Sequence, residues 1–175
     1  MRPPKSKDWP EYSQLIRKSK RLFQGVVSPF KNQHEFAAYV DRCRQDDYLG
    51  LFICSNEDHA ILGTINLSQI VRGNFLNACI GYSIGAPFAG KGYMTEALQL
   101  VLRLAFEELD LHRIEANIQP HNEASIALVK RAGFSEEGFS PRYLKVCGRW
   151  RDHERWAILA EDWRTLRKIK NAKSR

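Results

Sequence analysis

Ala89-Gly90-Lys91-Gly92-Tyr93-Met94 sits at the centre of a stretch, Gly81 to Phe134, that reads strand, glycine loop, helix, strand, Asn-x-x-Ser, helix, Gly-Phe. Two closely spaced glycines let backbone N–H groups approach a ligand, and the helix that comes next adds the positive end of its dipole. Together they suit a phosphate or pyrophosphate. A glycine loop alone also makes an ordinary strand-to-helix turn. The downstream residues narrow the choice, because Asn122 and Ser125 open a second helix just where a strand ends.

Upstream of that stretch, Trp9, Tyr12, Leu15, Ile16 and Leu22 recur at helical spacing, and Phe36, Tyr39 and Val40 mark a second helix over Gln33–Cys43. Tyr48–Cys54 is a strand-like apolar run closed by the turn residues Ser55-Asn56-Glu57-Asp58. A strand from Ala60 to about Ile70 and another over Asn77–Ile84 complete an antiparallel meander. Met94, Ala97, Leu98, Val101, Ala105 and Leu109 form one stripe of a crossover helix, which leads to a strand at Arg113–Ile118. The next helix spans Glu123 to Ala132, with Gly133 suited to a left-handed cap and Phe134 to the apolar contact beyond it. Arg142–Cys147, a Gly148-Arg149 turn and Trp150–Leu159 read as a closing hairpin. The fold class is α/β, with a mixed sheet flanked by helices.

The chain has 175 residues, enough for one domain with a sizeable core, and 43% of them are hydrophobic. No run approaches the ~18 apolar residues of a membrane span, and the first residues lack the apolar core of a signal peptide. Cys43, Cys54, Cys79 and Cys147 are scattered without metal-ligand spacing, which suggests reduced thiols and a cytoplasmic protein with no metal. The net charge of +7 belongs to the ends. Residues 1–21 hold seven Lys or Arg against two acids, and residues 164–175 hold six against none. Such ends tether a protein to RNA or a ribosomal surface, or are merely solvated. The expected organisation is one domain over 1–175, with a core at about 9–163 and a basic tail at 164–175.

Several motifs carry a family resemblance. They are Val-Arg-Gly-x-Phe from Val71, Gly-Tyr-Ser-Ile-Gly from Gly81, Gly-Lys-Gly-x-Met-x-Glu-Ala-Leu from Gly90, His-Arg-Ile from His112, Pro-His-Asn from Pro120, Ala-Gly-Phe from Ala132 and Trp-Arg-Asp-His from Trp150. With these the chain resembles the GCN5-related N-acetyltransferases, and within them the RimJ/RimL branch of ribosomal-protein N-terminal acetyltransferases. The resemblance covers about Trp9 to Trp163. It implies acetyl transfer from acetyl-CoA to a primary amine, most specifically an N-terminal alanine of a ribosomal protein. It also implies splayed strands after the meander. The family's usual first strand has no counterpart here, so the sheet is expected to lack it. Pro87 stands where the family usually has Gln or Arg.

The implied coenzyme site comprises Ile84, Gly85 and Ala86 at the end of the third strand, the loop Ala89, Gly90, Lys91, Gly92, Tyr93 and Met94, and Asn122 with Ser125. Asn122 and Ser125 also read as a helix cap and its first turn. By resemblance Ser125 faces the coenzyme sulfur, where a hydrogen bond to the departing thiolate would suffice. Glu115 is the expected proton acceptor, or else a structural carboxylate paired to Arg113. Tyr82, Tyr143 and His121 are other candidates for the base. Asp152 and His153 read as hairpin contacts, and Arg72 and Trp150 as acceptor-entrance or ordinary turn and packing residues.

A peptide α-amine, with a pKa of ~7.7–8.0, is far more available as the neutral nucleophile than a lysine near ~10.4. Other acceptors stay open: a polyamine, an antibiotic or an amino acid. A rival of another class is a non-catalytic module that keeps the fold and binds RNA or the ribosome through its basic ends. The expected assembly is a monomer or homodimer without membrane contact.

Overall fold

The computed structural model describes residues 1–173. Three helices come first: α1 (Trp9–Lys18), the short α2 (Lys20–Phe23) and α3 (Gln33–Arg42). The meander is β1 (Tyr48–Cys54), β2 (Ile61–Val71) and β3 (Asn77–Ile84), and it leads to α4 (Tyr93–Arg103), β4 (Arg113–Ile118) and α5 (Glu123–Ala132). The chain closes with β5 (Ser135–Val146), β6 (Arg149–Leu159) and α6 (Ala160–Lys173). The six strands form one sheet in the order β1-β2-β3-β4-β6-β5, parallel only between β3 and β4.

The alternation of each strand assigns its faces. Leu51, Ile53, Leu62, Ala78, Ile80, Ile114 and Ala116 turn toward α4 and α5 and build the larger core. Phe52 and Ile61 point the other way, onto Tyr12 and Leu15 of α1 and Phe36 and Val40 of α3. The second cluster is largely aromatic; Phe36 stacks on Phe52 with ring centroids 6.1 Å apart.

Among the described residues, no full strand precedes α1. Its place is held by a single antiparallel pair, in which Arg2 and Phe52 exchange backbone hydrogen bonds of 3.1 and 2.8 Å. The Arg2 guanidinium grips Asp8 with two bonds of 2.7 and 3.0 Å, so the N-terminal segment is held against the β1 edge.

Four local expectations need correction. The first helix does not carry its stripe to Leu22. It breaks at the buried Ser19, and Leu22 leaves the α1 face. The hairpin's first strand begins at Ser135 rather than Arg142. Its irregularities between Glu136 and Gly138 and between Ser140 and Leu144 hide the strand period. The hairpin turn falls at Cys147-Gly148, both with positive φ. Most of the basic tail is helix: Trp163 is buried, and Leu166 packs so closely on the left-handed Gly133 that a Cβ there would meet it at 2.2 Å. The end of the expected tail, residues 174–175, lies outside the described residues.

Candidate active site

The parallel pairing of β3 with β4 lasts three positions, Asn77–Arg113, Ala78–Ile114 and Cys79–Glu115. Beyond them the strands diverge. β3 keeps its register with β2 as far as Gly63–Ile84, and β4 keeps its register with β6 as far as Ile118–Glu154. The sheet therefore opens in a wedge between Ile80–Ile84 and Ala116–Ile118. The Gly85 N–H donates to the Leu62 carbonyl at 2.8 Å, which makes Gly63–Ile84 a non-hydrogen-bonded pair. By alternation Tyr82 occupies another. The N–H and C=O groups of Tyr82 and Ile84 consequently face the wedge instead of β2.

A cavity of about 440 Å³ lies at this opening. Tyr82, Ser83 and Ile84 line it from β3, and Ala89, Gly90 and Gly92 from the glycine loop. Met94 and Thr95 line it from α4, and Asn122, Ser125 and Arg131 from α5 or its cap. Leu22, Phe23, Val26 and Val27 form a further, apolar wall. That wall is fixed from the fold beneath it. The Ser19 hydroxyl donates to the Leu15 carbonyl at 2.7 Å and accepts the Ala86 N–H at 2.9 Å, while Gln119 Nε2 donates to the Gly25 carbonyl at 3.0 Å.

Gly90 and Gly92 hold φ of 75° and 89°, and a Cβ on either would point into open space. Backbone can therefore be approached closely along this loop. Gly92 is the N-cap of α4 and no side chain caps that helix, so its first-turn N–H groups are free to receive an anion. α5 is different. Asn122 Oδ1 accepts the Ser125 N–H at 3.3 Å, leaving the amide nitrogen of Asn122 and the hydroxyl of Ser125 uncommitted to the cap. Burial pushes the Tyr82 phenol up to about 12, with the nearby Ser125 hydroxyl opposing the rise.

The structure brings together Ile84, Ala89, Gly90, Gly92, Met94, Asn122 and Ser125 from the expected set. It does not bring Gly85, Ala86, Lys91 or Tyr93 to the cavity lining. The N–H groups of Gly85 and Ala86 are spent on Leu62 and Ser19, so they offer a ligand no free donor. Lys91 is exposed on the loop, and Tyr93 is exposed at the start of α4. Glu115 is not at the cavity either. Its carboxylate accepts Arg113 Nε at 2.8 Å, and Arg113 also pairs with Glu137, which it holds below the ordinary carboxylate range.

Among the other candidates, Asp152 accepts the Arg142 N–H at 2.7 Å, and the buried His153 sits 3.0 Å from the Arg151 carbonyl. Both are hairpin contacts. Arg72 caps the carbonyl of Leu109 at the far end of the crossover segment, away from the wedge. Neither Tyr143, His121 nor Trp150 lines the cavity. Sequence reading missed the wall of Leu22, Phe23, Val26 and Val27 and the contributions of Thr95 and Arg131. A weak signal existed for the wall: the apolar pairs Leu22-Phe23 and Val26-Val27 flank Gly25 where the helical stripe has ended.

Residues 1–135 match the family model of the acetyltransferase (GNAT) domain. The chain belongs to the GNAT acetyltransferase family. It is 43% identical to the probable N-acetyltransferase YjcK of Bacillus subtilis over 126 residues, 71% of this chain and 68% of that protein. It is equally identical to the [ribosomal protein uS5]-alanine N-acetyltransferase of Escherichia coli over 116 residues, 66% of this chain but only 59% of that protein. The solved structure of Mycobacterium smegmatis RimJ in complex with CoA-disulfide superposes with a TM-score of 0.82 at 28% identity, covering 91% of this chain and 81% of that one.

This acetyltransferase uses acetyl-CoA as acyl donor, and the residues present fit that molecule. The uncapped α4 terminus with its open glycine loop suits a pyrophosphate, and the backbone groups facing the wedge suit an arm that carries amides. No helix among the described residues is long and apolar enough to cross a membrane.

Proposed function

We propose that the acetyltransferase acts on the N-terminal α-amine of a ribosomal protein, with alanine as the acetylated residue. The observation that carries this reading is the chemistry of the cavity wall. Among the residues lining it, only Tyr82 and Arg131 are ionisable, and no carboxylate is present. An acceptor that must first lose a proton near ~10.4 would need a base there, whereas a peptide terminus at ~7.7–8.0 is partly neutral already.

In this reading Gly90, Gly92 and Met94 cradle the pyrophosphate through backbone N–H groups, with Lys91 adding charge at the rim. Tyr82 and Ile84 offer backbone groups to the pantetheine arm, and Asn122 contacts it. The amine nitrogen attacks the thioester carbonyl. A C–N bond forms, the C–S bond breaks, and the amine proton leaves to solvent. Ser125 donates a hydrogen bond to the sulfur as negative charge collects on it, which lowers the barrier to departure. Glu115 remains the partner of Arg113.

The similarity to the E. coli uS5-alanine enzyme supports the acceptor class. So does charge. The hairpin tip carries Arg142, Lys145, Arg149 and Arg151, which disfavour a polycation such as a polyamine. The exposed Arg164 and Lys168 on α6 supply basic charge for ribosomal RNA.

A direct test compares three acceptors by the mass gain of one acetyl: a peptide with a free N-terminal alanine, the same peptide with its terminus blocked and an internal lysine, and spermidine. Acetylation of the first alone is expected. Faster turnover of spermidine would overturn the acceptor assignment and leave the acetyltransferase chemistry standing.

A further inference from the structure

The Tyr82 hydroxyl is a buried polar group of the cavity region that neither the fold nor the acetyl-transfer chemistry has used. Its oxygen is shielded from solvent and has no hydrogen-bond partner among the described residues. Ser125 lies close enough to favour the Tyr82 anion, yet no hydrogen bond of sound geometry joins the two. A buried hydroxyl left in this state destabilises the free protein. The packing does not require the oxygen: the Tyr82 ring rests against the larger core, where a phenylalanine ring would serve as well.

We infer that Tyr82 is a positioning residue for acetyl transfer, donating its hydroxyl proton to Ser125 Oγ so that the Ser125 O–H is turned into the cavity toward the leaving sulfur. A free serine hydroxyl samples three staggered rotors and several acceptors. Once its oxygen accepts from Tyr82, its own proton must point elsewhere, and the cavity is the open side. The two hydroxyls then form a chain in which each bond polarises the next. Burial raises Tyr82 to about 12, so it remains a protonated donor throughout the pH range in which a peptide amine is acetylated. Tyr82 therefore acts as donor, not as the base.

This inference rests on the reading of Ser125 as the donor to sulfur, and a double-mutant cycle separates the two. The variants are Tyr82→Phe, Ser125→Ala and the double substitution, each measured with the alanine peptide and by calorimetric binding of CoA and desulfo-CoA. Tyr82→Phe is expected to lower kcat roughly 2- to 12-fold, the range of one neutral hydrogen bond, with the peptide KM unchanged. The double variant should be no slower than Ser125→Ala. In binding, Tyr82→Phe should weaken CoA at pH 9 relative to desulfo-CoA, which has no sulfur to receive the bond. Thermal stability of the free protein should stay level or rise.

Additive effects in the cycle, or a loss of stability with unchanged kcat and unchanged CoA preference, would overturn the role of Tyr82 and leave Ser125 in place. Normal turnover and normal CoA preference in Ser125→Ala would remove the Ser125 reading itself, and the inference with it.

Discussion

Asn122 caps α5 by accepting the Ser125 N–H through its side-chain oxygen at 3.3 Å, so the serine that faces the cavity is held by its backbone and not by its hydroxyl. The Asn-x-x-Ser spacing thus divides two tasks between two side chains. The asparagine oxygen secures the helix terminus, and the serine hydroxyl is left uncommitted by the cap.

That division makes Ser125→Ala a clean probe. Loss of a hydrogen bond to a charged leaving group costs ~1.5–3 kcal/mol, or roughly ten- to a hundred-fold in kcat. Stability should not change, because the cap survives. Asn122→Ala should behave the opposite way in the melting curve, losing ~1 kcal/mol of stability. Steady-state kinetics beside thermal denaturation of both variants checks the assignment.

Gly92→Glu should abolish measurable acetyl-CoA binding by calorimetry. The carboxylate would stand in the space through which an anion reaches the α4 terminus, and would repel it. Part of any effect is backbone strain, since Gly92 holds a φ of 89°. Gly73→Ala isolates that part: Gly73 has a φ of 72°, open surroundings and a place on a distant turn. Gly73→Ala should lose about 1 kcal/mol of stability and bind the coenzyme normally. If Gly92→Glu binds normally too, the coenzyme loop has been misassigned.

The N-terminal anchor gives a pH dependence with a definite sign. Burial alone would raise the Asp8 carboxyl, but the Arg2 hydrogen bonds and the Lys5 N–H outweigh it, and the net shift is downward. A carboxylate whose pKa is lower folded than unfolded stabilises the fold fully above the unfolded value of ~3.9 and loses that contribution as pH falls through the folded value. Wild type should therefore be more stable than Asp8→Asn at pH 7, and the gap should close by about pH 2. Urea denaturation at the two pH values is sufficient; a gap independent of pH would show that the ion pair is not the anchor.

Removing residues 164–175 should destabilise the protein instead of merely reducing its charge. Leu166 would leave Gly133, and Arg167 would leave both Glu107 and the Trp163 ring, whose centroid lies 5.1 Å from its guanidinium carbon. Trp163, which packs 5.4 Å from Phe106, would lose its cover. The melting temperature should fall by several degrees, with reduced acetylation at 37 °C. By contrast, Arg164→Glu with Lys168→Glu, both exposed, should keep the fold and the peptide activity while weakening salt-sensitive ribosome association in cosedimentation.

Local order was legible in the sequence wherever one period held without interruption. Asn77–Ile84 and Arg113–Ile118 are strands of those bounds, and Glu123–Ala132 is a helix with Gly133 as its left-handed cap. The glycine loop and the Asn-x-x-Ser cap were legible because φ preference and capping are properties of a few adjacent residues. β5 was shortened in the reading because Gly138, Pro141 and the positive φ of Arg142 break its alternation.

Only the tertiary structure decided which groups remain available. Gly85 and Ala86 have the right place in the chain to serve a ligand, but their N–H groups are consumed by Leu62 and by Ser19, sixty-seven residues away from Ala86. Glu115 has the right chemistry for a base, but Arg113 holds it. Leu22, Phe23, Val26 and Val27 have no motif at all, yet they wall the cavity because Ser19 ends α1 beside Ala86. Hydrogen-bond partners and cavity walls depend on distances between residues far apart in sequence, and those distances exist only once the sheet has closed its register and opened its wedge.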